Sequence, residues 1–114
     1  MGEHNAIVGR DGEDQAAAHY RARGYAVLER NWRCAVGEID LICARGETLV
    51  ICEVKARSRT ATGHPLEAVT VAKQRRLRRL AAVYLVGQRT YWAEIRFDVV
   101  SVLGRTLHVV EDAF

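Results

Sequence analysis

The chain has 114 residues, enough for one domain built around a single core. Hydrophobic residues make up 49% and charged residues 27%, an ordinary globular balance, and no apolar run approaches the ~20 residues needed to cross a bilayer. A net charge of +3 leans weakly toward an anionic partner, and where the charges sit matters more than their sum.

Met1 to Ala6 lacks the basic and apolar stretches of a secretory signal, and Ala6 stands where N-myristoylation wants Ser or Thr. Cys34, Cys43 and Cys52 are odd in number and form no CxxC pair, which argues against a disulfide framework or a zinc site. The expectation is a cytoplasmic protein of one domain, residues 1–114, with no membrane segment.

In chain order, residues 1–8 read as a loose start. Arg10 to Arg23 has helical spacing, with Ala16, Ala17, Tyr20 and, at the margin, Ala18 inward and Gly24 as a stop. Tyr25 to Trp32 reads as a strand with Tyr25, Val27 and Glu29 on one side. Glu38 to Ala44 and Thr48 to Lys55 follow as a hairpin, apolar at most positions on both faces, as strands in the middle of a covered sheet are. Ser58 to Gly63 is a polar loop, and Pro65 to Ala68 has room for one helical turn. Thr70 is a natural N-cap for a helix to Val86, with Leu77, Leu80, Ala81 and Tyr84 on one face and Gly87 ending it. Ile95 to Leu103 and Thr106 to Glu111 read as two more strands, turning at Gly104-Arg105. The order α-β-β-β-α-β-β implies an α/β fold: a sheet of about five strands flanked by helices.

Four charged residues interrupt the apolar hairpin: Glu38, Asp40, Glu53 and Lys55. Strand alternation puts Glu38 with Asp40, and Glu53 with Lys55. A two-residue type II′ turn at Gly46-Glu47 sets Arg45 opposite Thr48, hence Asp40 opposite Glu53 and Glu38 opposite Lys55. Opposed residues lie ~4.5–5.5 Å apart, so three carboxylates and one ammonium would share one patch. A slip of one residue would scatter them. Facing carboxylates repel, and burial makes this worse. A divalent ion such as Mg²⁺ or Mn²⁺ would resolve the conflict and could activate a water beside a phosphoryl group, with Lys55 assisting. The plainer alternative is that Lys55 simply neutralises Glu38 or Glu53.

The segments Gly37-Glu38-Ile39-Asp40-Leu41-Ile42 and Cys52-Glu53-Val54-Lys55-Ala56-Arg57 resemble the D-x(n)-E-x-K core of the PD-(D/E)xK nuclease superfamily. From about Gly9 to Val110 the chain is similar to the YraN-like bacterial family, small endonuclease-like proteins related to archaeal Holliday-junction resolvases. The likeness includes Gly12-Glu13 and the stretch from Val69-Thr70 to Lys73-Gln74. It implies a restriction-endonuclease-like fold with a central mixed sheet. It also implies a Mg²⁺- or Mn²⁺-dependent endonuclease acting on DNA, of branched or other structured form. Asp40 and Glu53 match the metal-binding carboxylates and Lys55 the catalytic lysine. Glu13 matches the first-helix acid beside the metal, and the Val54 carbonyl would be a further ligand. Ile39 stands where the superfamily motif has proline, and the family gives no role to Glu38. Resolvase relatives act as dimers, so a homodimer is expected by the same likeness.

Lys73, Arg75, Arg76, Arg78 and Arg79 put five basic residues into seven. With Arg57 and Gln74 they form a candidate nucleic-acid surface, in which Lys73, Arg75, Arg76 and Arg79 would meet phosphates. Gln74 could equally support Lys55, and the basic run could be a plain solvated face. His4, His19, His64 and His108 show no metal spacing, and Asp98 within an apolar strand reads either as a supporting partner for a basic residue or, more simply, as a structural hydrogen-bonder. Two other functions fit the same residues: a nucleic-acid-binding module that does not cut, and an interaction factor whose basic helix docks an acidic protein.

Overall fold

The computed structural model describes residues 2–57 and 69–114, with side chains for 10–57 and 69–114. It holds α1 (Gly2–Ala22), β1 (Ala26–Cys34), β2 (Gly37–Arg45), β3 (Thr48–Arg57), α2 (Val71–Val86), β4 (Glu94–Leu103) and β5 (Thr106–Val110). The expected loop at Ser58–Gly63, the turn at Pro65–Ala68 and His64 lie outside the described residues.

The five strands form one mixed sheet in the order β1-β2-β3-β4-β5. All neighbours are antiparallel except β3 and β4, which run parallel. That parallel pair requires a crossover, and α2 lies within it. The α/β class and element order are those the periodicity predicts.

Each helix covers one face of the sheet. Ala16, Ala17 and Tyr20 of α1 pack on Leu41, Cys43, Val50, Cys52, Val100 and Val102. Leu77, Leu80, Ala81 and Tyr84 of α2 pack on Ile39, Ile42, Leu49, Ile51, Phe97 and Val99. Residues 50 and 52 of β3 thus face α1, while 49 and 51 face α2. Burying a leucine such as Leu80 stabilises the fold by roughly 1.5–3 kcal/mol.

The helix ends follow local chemistry. Gly24 has φ +85. The N–H of Gly24 donates to the Arg21 carbonyl and that of Tyr25 to the Tyr20 carbonyl, a Schellman stop. The Tyr20 and Tyr25 rings meet edge-on at 5.3 Å, sealing it. Thr70 caps α2, its hydroxyl accepting from the Lys73 N–H at 3.2 Å. At the other end of the chain, α1 begins at Gly2, well before the Arg10 start that the side-chain spacing suggests.

The hairpin register is as counted from the sequence. Arg45 faces Thr48, and Gly46 has φ +59 while Glu47 has none in the left-handed region, as a type II′ turn requires. In β1 the reading is corrected. Val27 pairs with Cys43 but Glu29 with Ile42, so Leu28 is bulged out and exposed. The extra residue sends Glu29 to the α2 face, opposite Val27.

Candidate active site

The β1–β2 ribbon turns over at one point. Arg30 pairs with Leu41 and Trp32 with Ile39, yet Leu41 packs toward α1 while Ile39 and Trp32 pack toward α2. Residues two apart normally share a face, so alternation is broken between them. The residues at the break are Asn31, with φ +52, and Asp40. On the other side, the β2–β3 ladder extends only as far as Leu41 opposite Cys52. Asp40 fills the opening, and its Oδ2 accepts the Val54 N–H at 2.8 Å.

Glu53 and Lys55 occupy the odd-numbered positions of β3 and so face α2. Glu53 is 7% exposed, and its Oε1 carries two ammonium groups: Lys73 Nζ at 2.7 Å and Lys55 Nζ at 3.6 Å. Glu13 approaches from α1, half-buried, 4.0 Å from an Arg30 nitrogen that also binds Asp14. At Gly12 the helix lies close to the sheet, where an added Cβ would meet that of Ala56 at 3.5 Å. The opening between β2 and β3 is therefore reached by α1 from one face and by α2 from the other.

The electrostatics are unbalanced at Asp40. Burial foremost, then the charge of Glu53, with smaller contributions from Glu13 and Glu38, push its carboxyl up to about 7; the Val54 N–H offsets part of this. The two lysines split. Burial and the neighbouring Lys73 pull Lys55 below its ordinary value. Burial also pulls on Lys73, but the bond to Glu53 and the charges of Glu53 and Asp40 outweigh it and raise Lys73.

Asp40 lies near enough to Glu53 and Glu13 to feel their charges, and Glu53 shares its strand face with Lys55, but the expected Asp40–Glu53 pair is not part of the ladder, which stops at Leu41–Cys52. Glu38 is corrected: it pairs with Arg33 of β1 at 2.8 Å rather than with Lys55. The cause is the ribbon turnover, which takes β2 away from β3 beyond Asp40. Lys73 also differs from expectation. It is the strongest partner of Glu53 rather than part of an exposed basic strip. The sequence carries a signal for this, because Lys73 precedes Leu77 and Leu80 by four and seven residues, on their helical face.

Gln74 donates to the Val69 carbonyl at 3.2 Å, tying down the entry to α2. Arg75, Arg76 and Arg79 are exposed, and Arg57 at the end of β3 is half-buried. Arg78 is exposed as well, and its guanidinium lies over the Phe97 ring at 4.8 Å.

The donor chemistry of Asp40, Glu53 and Glu13 suits a hard divalent cation, since hard oxygens with excess negative charge are what such ions bind. The set is not preassembled. Among the described residues, no three Asp, Glu, His or Cys side chains are gathered closely enough to hold an ion. Lys73 and Lys55 take Glu53, while Arg30 draws Glu13.

Asp98 stands apart on the α1 face. It is fully buried and accepts from the Tyr20 hydroxyl at 2.6 Å, from Arg96 at 2.9 and 3.0 Å, and from the Asp112 N–H at 3.0 Å. The structural role read from the sequence is the one its partners describe. Cys43 and Cys52 are buried in the same face, and burial pushes the Cys43 thiol up to about 12.

Fold and site together define a small α/β protein with an acid-and-lysine cluster at a split in its mixed sheet. Residues 12–102 match the model described as "Uncharacterised protein family UPF0102", and the chain belongs to that family. A UPF0102 protein of Beutenbergia cavernae is 53% identical over 96 residues, covering 84% of this chain and 81% of its own. One from Rhodococcus opacus is 46% identical over 100 residues, covering 88% and 85%. One from Acidothermus cellulolyticus is 43% identical over 123 residues, covering 94% and 92%. No described helix is long and apolar enough to cross a membrane.

Proposed function

We propose that this protein is a metal-dependent nuclease of the PD-(D/E)xK type that hydrolyses phosphodiester bonds in DNA, with structured or branched DNA as the substrate class. One observation carries the reading: Asp40 and Glu53–Lys55 converge at a break in the sheet that packing alone does not favour. The half-buried Asp40 is left with its carboxyl pushed up to about 7, and two lysines crowd a single carboxylate oxygen.

Asp40 and Glu53 would hold Mg²⁺ or Mn²⁺, with Glu13 and the Val54 carbonyl as further donors. The ion would supply Lewis acidity at the phosphate and a lowered pKa for its water. Asp40 is held by the Val54 N–H, which fixes its direction before any ion arrives. Lys55 lies on the same side as Glu53, with its pKa pulled down by burial. That suits it to hold the attacking water or to stabilise charge on the phosphate. Arg75, Arg76 and Arg79 of α2, with Arg57, would contact the DNA backbone.

The test is cleavage of labelled linear, flapped and four-way DNA in Mn²⁺ and Mg²⁺. Wild type is expected to cut at least one, and Asp40→Asn and Lys55→Met to lose on the order of 10²–10³-fold of that rate. Equal inertness of all three on every substrate would sink the catalytic reading. A second reading, a DNA-binding module that does not cut, is favoured by Lys73 sitting on the carboxylate that a metal would need. It predicts salt-sensitive DNA binding unaffected by Asp40→Asn.

A further inference from the structure

We infer that Lys73 is the resident counter-cation of the acidic site, a positioning residue that holds Glu53 in the metal-free protein and must leave for a divalent ion to bind. This rests on the reading of Asp40 and Glu53 as metal ligands.

Both lysines touch the same atom. Lys73 Nζ is 2.7 Å from Glu53 Oε1, and Lys55 Nζ is 3.6 Å from it. Asp40, by contrast, has a backbone N–H as its partner and, among the described residues, no ion pair. An ion held between the two carboxylates would add two positive charges beside two ammonium groups, one of them in direct contact with a ligand oxygen. Something must yield, and the two lysines differ in what they can do. Lys55 is two residues from Glu53 on the same strand, so its stem points the same way whatever its rotamer. Lys73 comes from the first turn of a different element. Its backbone is pinned by the Thr70 cap, while its four-carbon stem is free to swing about that point.

The direction of the swing matters for substrate. The outer face of α2 carries the exposed Arg75, Arg76 and Arg79. An ammonium released from Glu53 joins that face and becomes available to a phosphate. The metal-free protein is then held in a weakly cation-accepting state, and metal and polyanion favour the same displaced lysine. Their affinities should rise together.

The experiment is Mn²⁺ titration of chelator-stripped protein, followed calorimetrically and by the spin-resonance signal of free Mn²⁺. Lys73→Met is expected to bind Mn²⁺ about tenfold more tightly than wild type, and Lys73→Arg, which keeps the pair, within about twofold of it. Asp40→Asn should abolish binding. Equal or weaker binding by Lys73→Met, with wild-type binding still dependent on Asp40, overturns the displacement while sparing the metal site. No binding by any variant overturns the metal site and the inference with it. Should Lys73→Met fail to fold, the Cε–Hε magnetic-resonance signal of Lys73 in wild type gives the same answer. Mg²⁺ must move it to the position of a solvated lysine, and a signal unmoved at 20 mM Mg²⁺, about the highest concentration worth applying, overturns the proposal.

Discussion

Asp98 and Asp40 are both carboxylates set into the apolar sheet, on β4 and β2, and their surroundings are opposite in kind. Asp98 has a bidentate arginine, a phenol and a backbone N–H on its two oxygens. Asp40 has a single N–H and three acids acting against it. A buried charge that serves the fold has every lone pair occupied, because an uncompensated ion costs several kcal/mol. A carboxylate left short of partners serves something other than the fold, and under the proposed function that is the binding of a divalent cation.

The comparison can be broken most forcefully at Asp98. Asp98→Ala leaves Arg96 and Tyr20 without their partner in a dry place, and should destabilise the protein by about 3–5 kcal/mol in urea unfolding. A loss below about 1 kcal/mol would mean the network is ornamental.

Asp40→Asn should act in the other direction. The folded carboxyl titrates near 7 against an unfolded value near 3.8, so the stability that its proton confers is complete below about pH 4 and lost as pH rises through 7. Removing the charge should therefore stabilise the metal-free protein by on the order of 2 kcal/mol at pH 8 and by little at pH 4. Chemical unfolding in a chelator at both pH values checks this. A destabilised variant at pH 8 would place Asp40 in the same class as Asp98.

The smallest effect is expected on the rim. Arg75→Ala and Arg79→Ala should each weaken DNA binding a few-fold, whatever the sequence, and lower the slope of log K against log salt by about 1. Filter binding at several salt concentrations measures it. These substitutions should leave folding stability within about 0.5 kcal/mol, as exposed residues without packing roles do. Unchanged binding would move the DNA surface elsewhere.

Much of this was legible beforehand. Thr70, Gly24 and Gly46 announce a cap, a stop and a turn because each needs a particular backbone or side-chain oxygen there. The even loop at Gly46-Glu47 sets the ladder from Arg45–Thr48 to Leu41–Cys52 and so the strand neighbourhood of Asp40 and Glu53. Glu38 departs from the expected pairing because alternation breaks at Asp40, and Glu29 departs from its expected face because of the Leu28 bulge; in neither place does composition mark the break.

The order of elements, the two apolar helix faces and the hairpin register follow from the chain itself, since each depends on residues a few positions apart. The direction of Asp40 into the gap beside Val54, the pairing of Glu38 with Arg33 and the reach of Lys73 to Glu53 do not. Those depend on how far neighbouring strands diverge and how closely a helix 20 residues away settles on the sheet, distances that only the packed core sets.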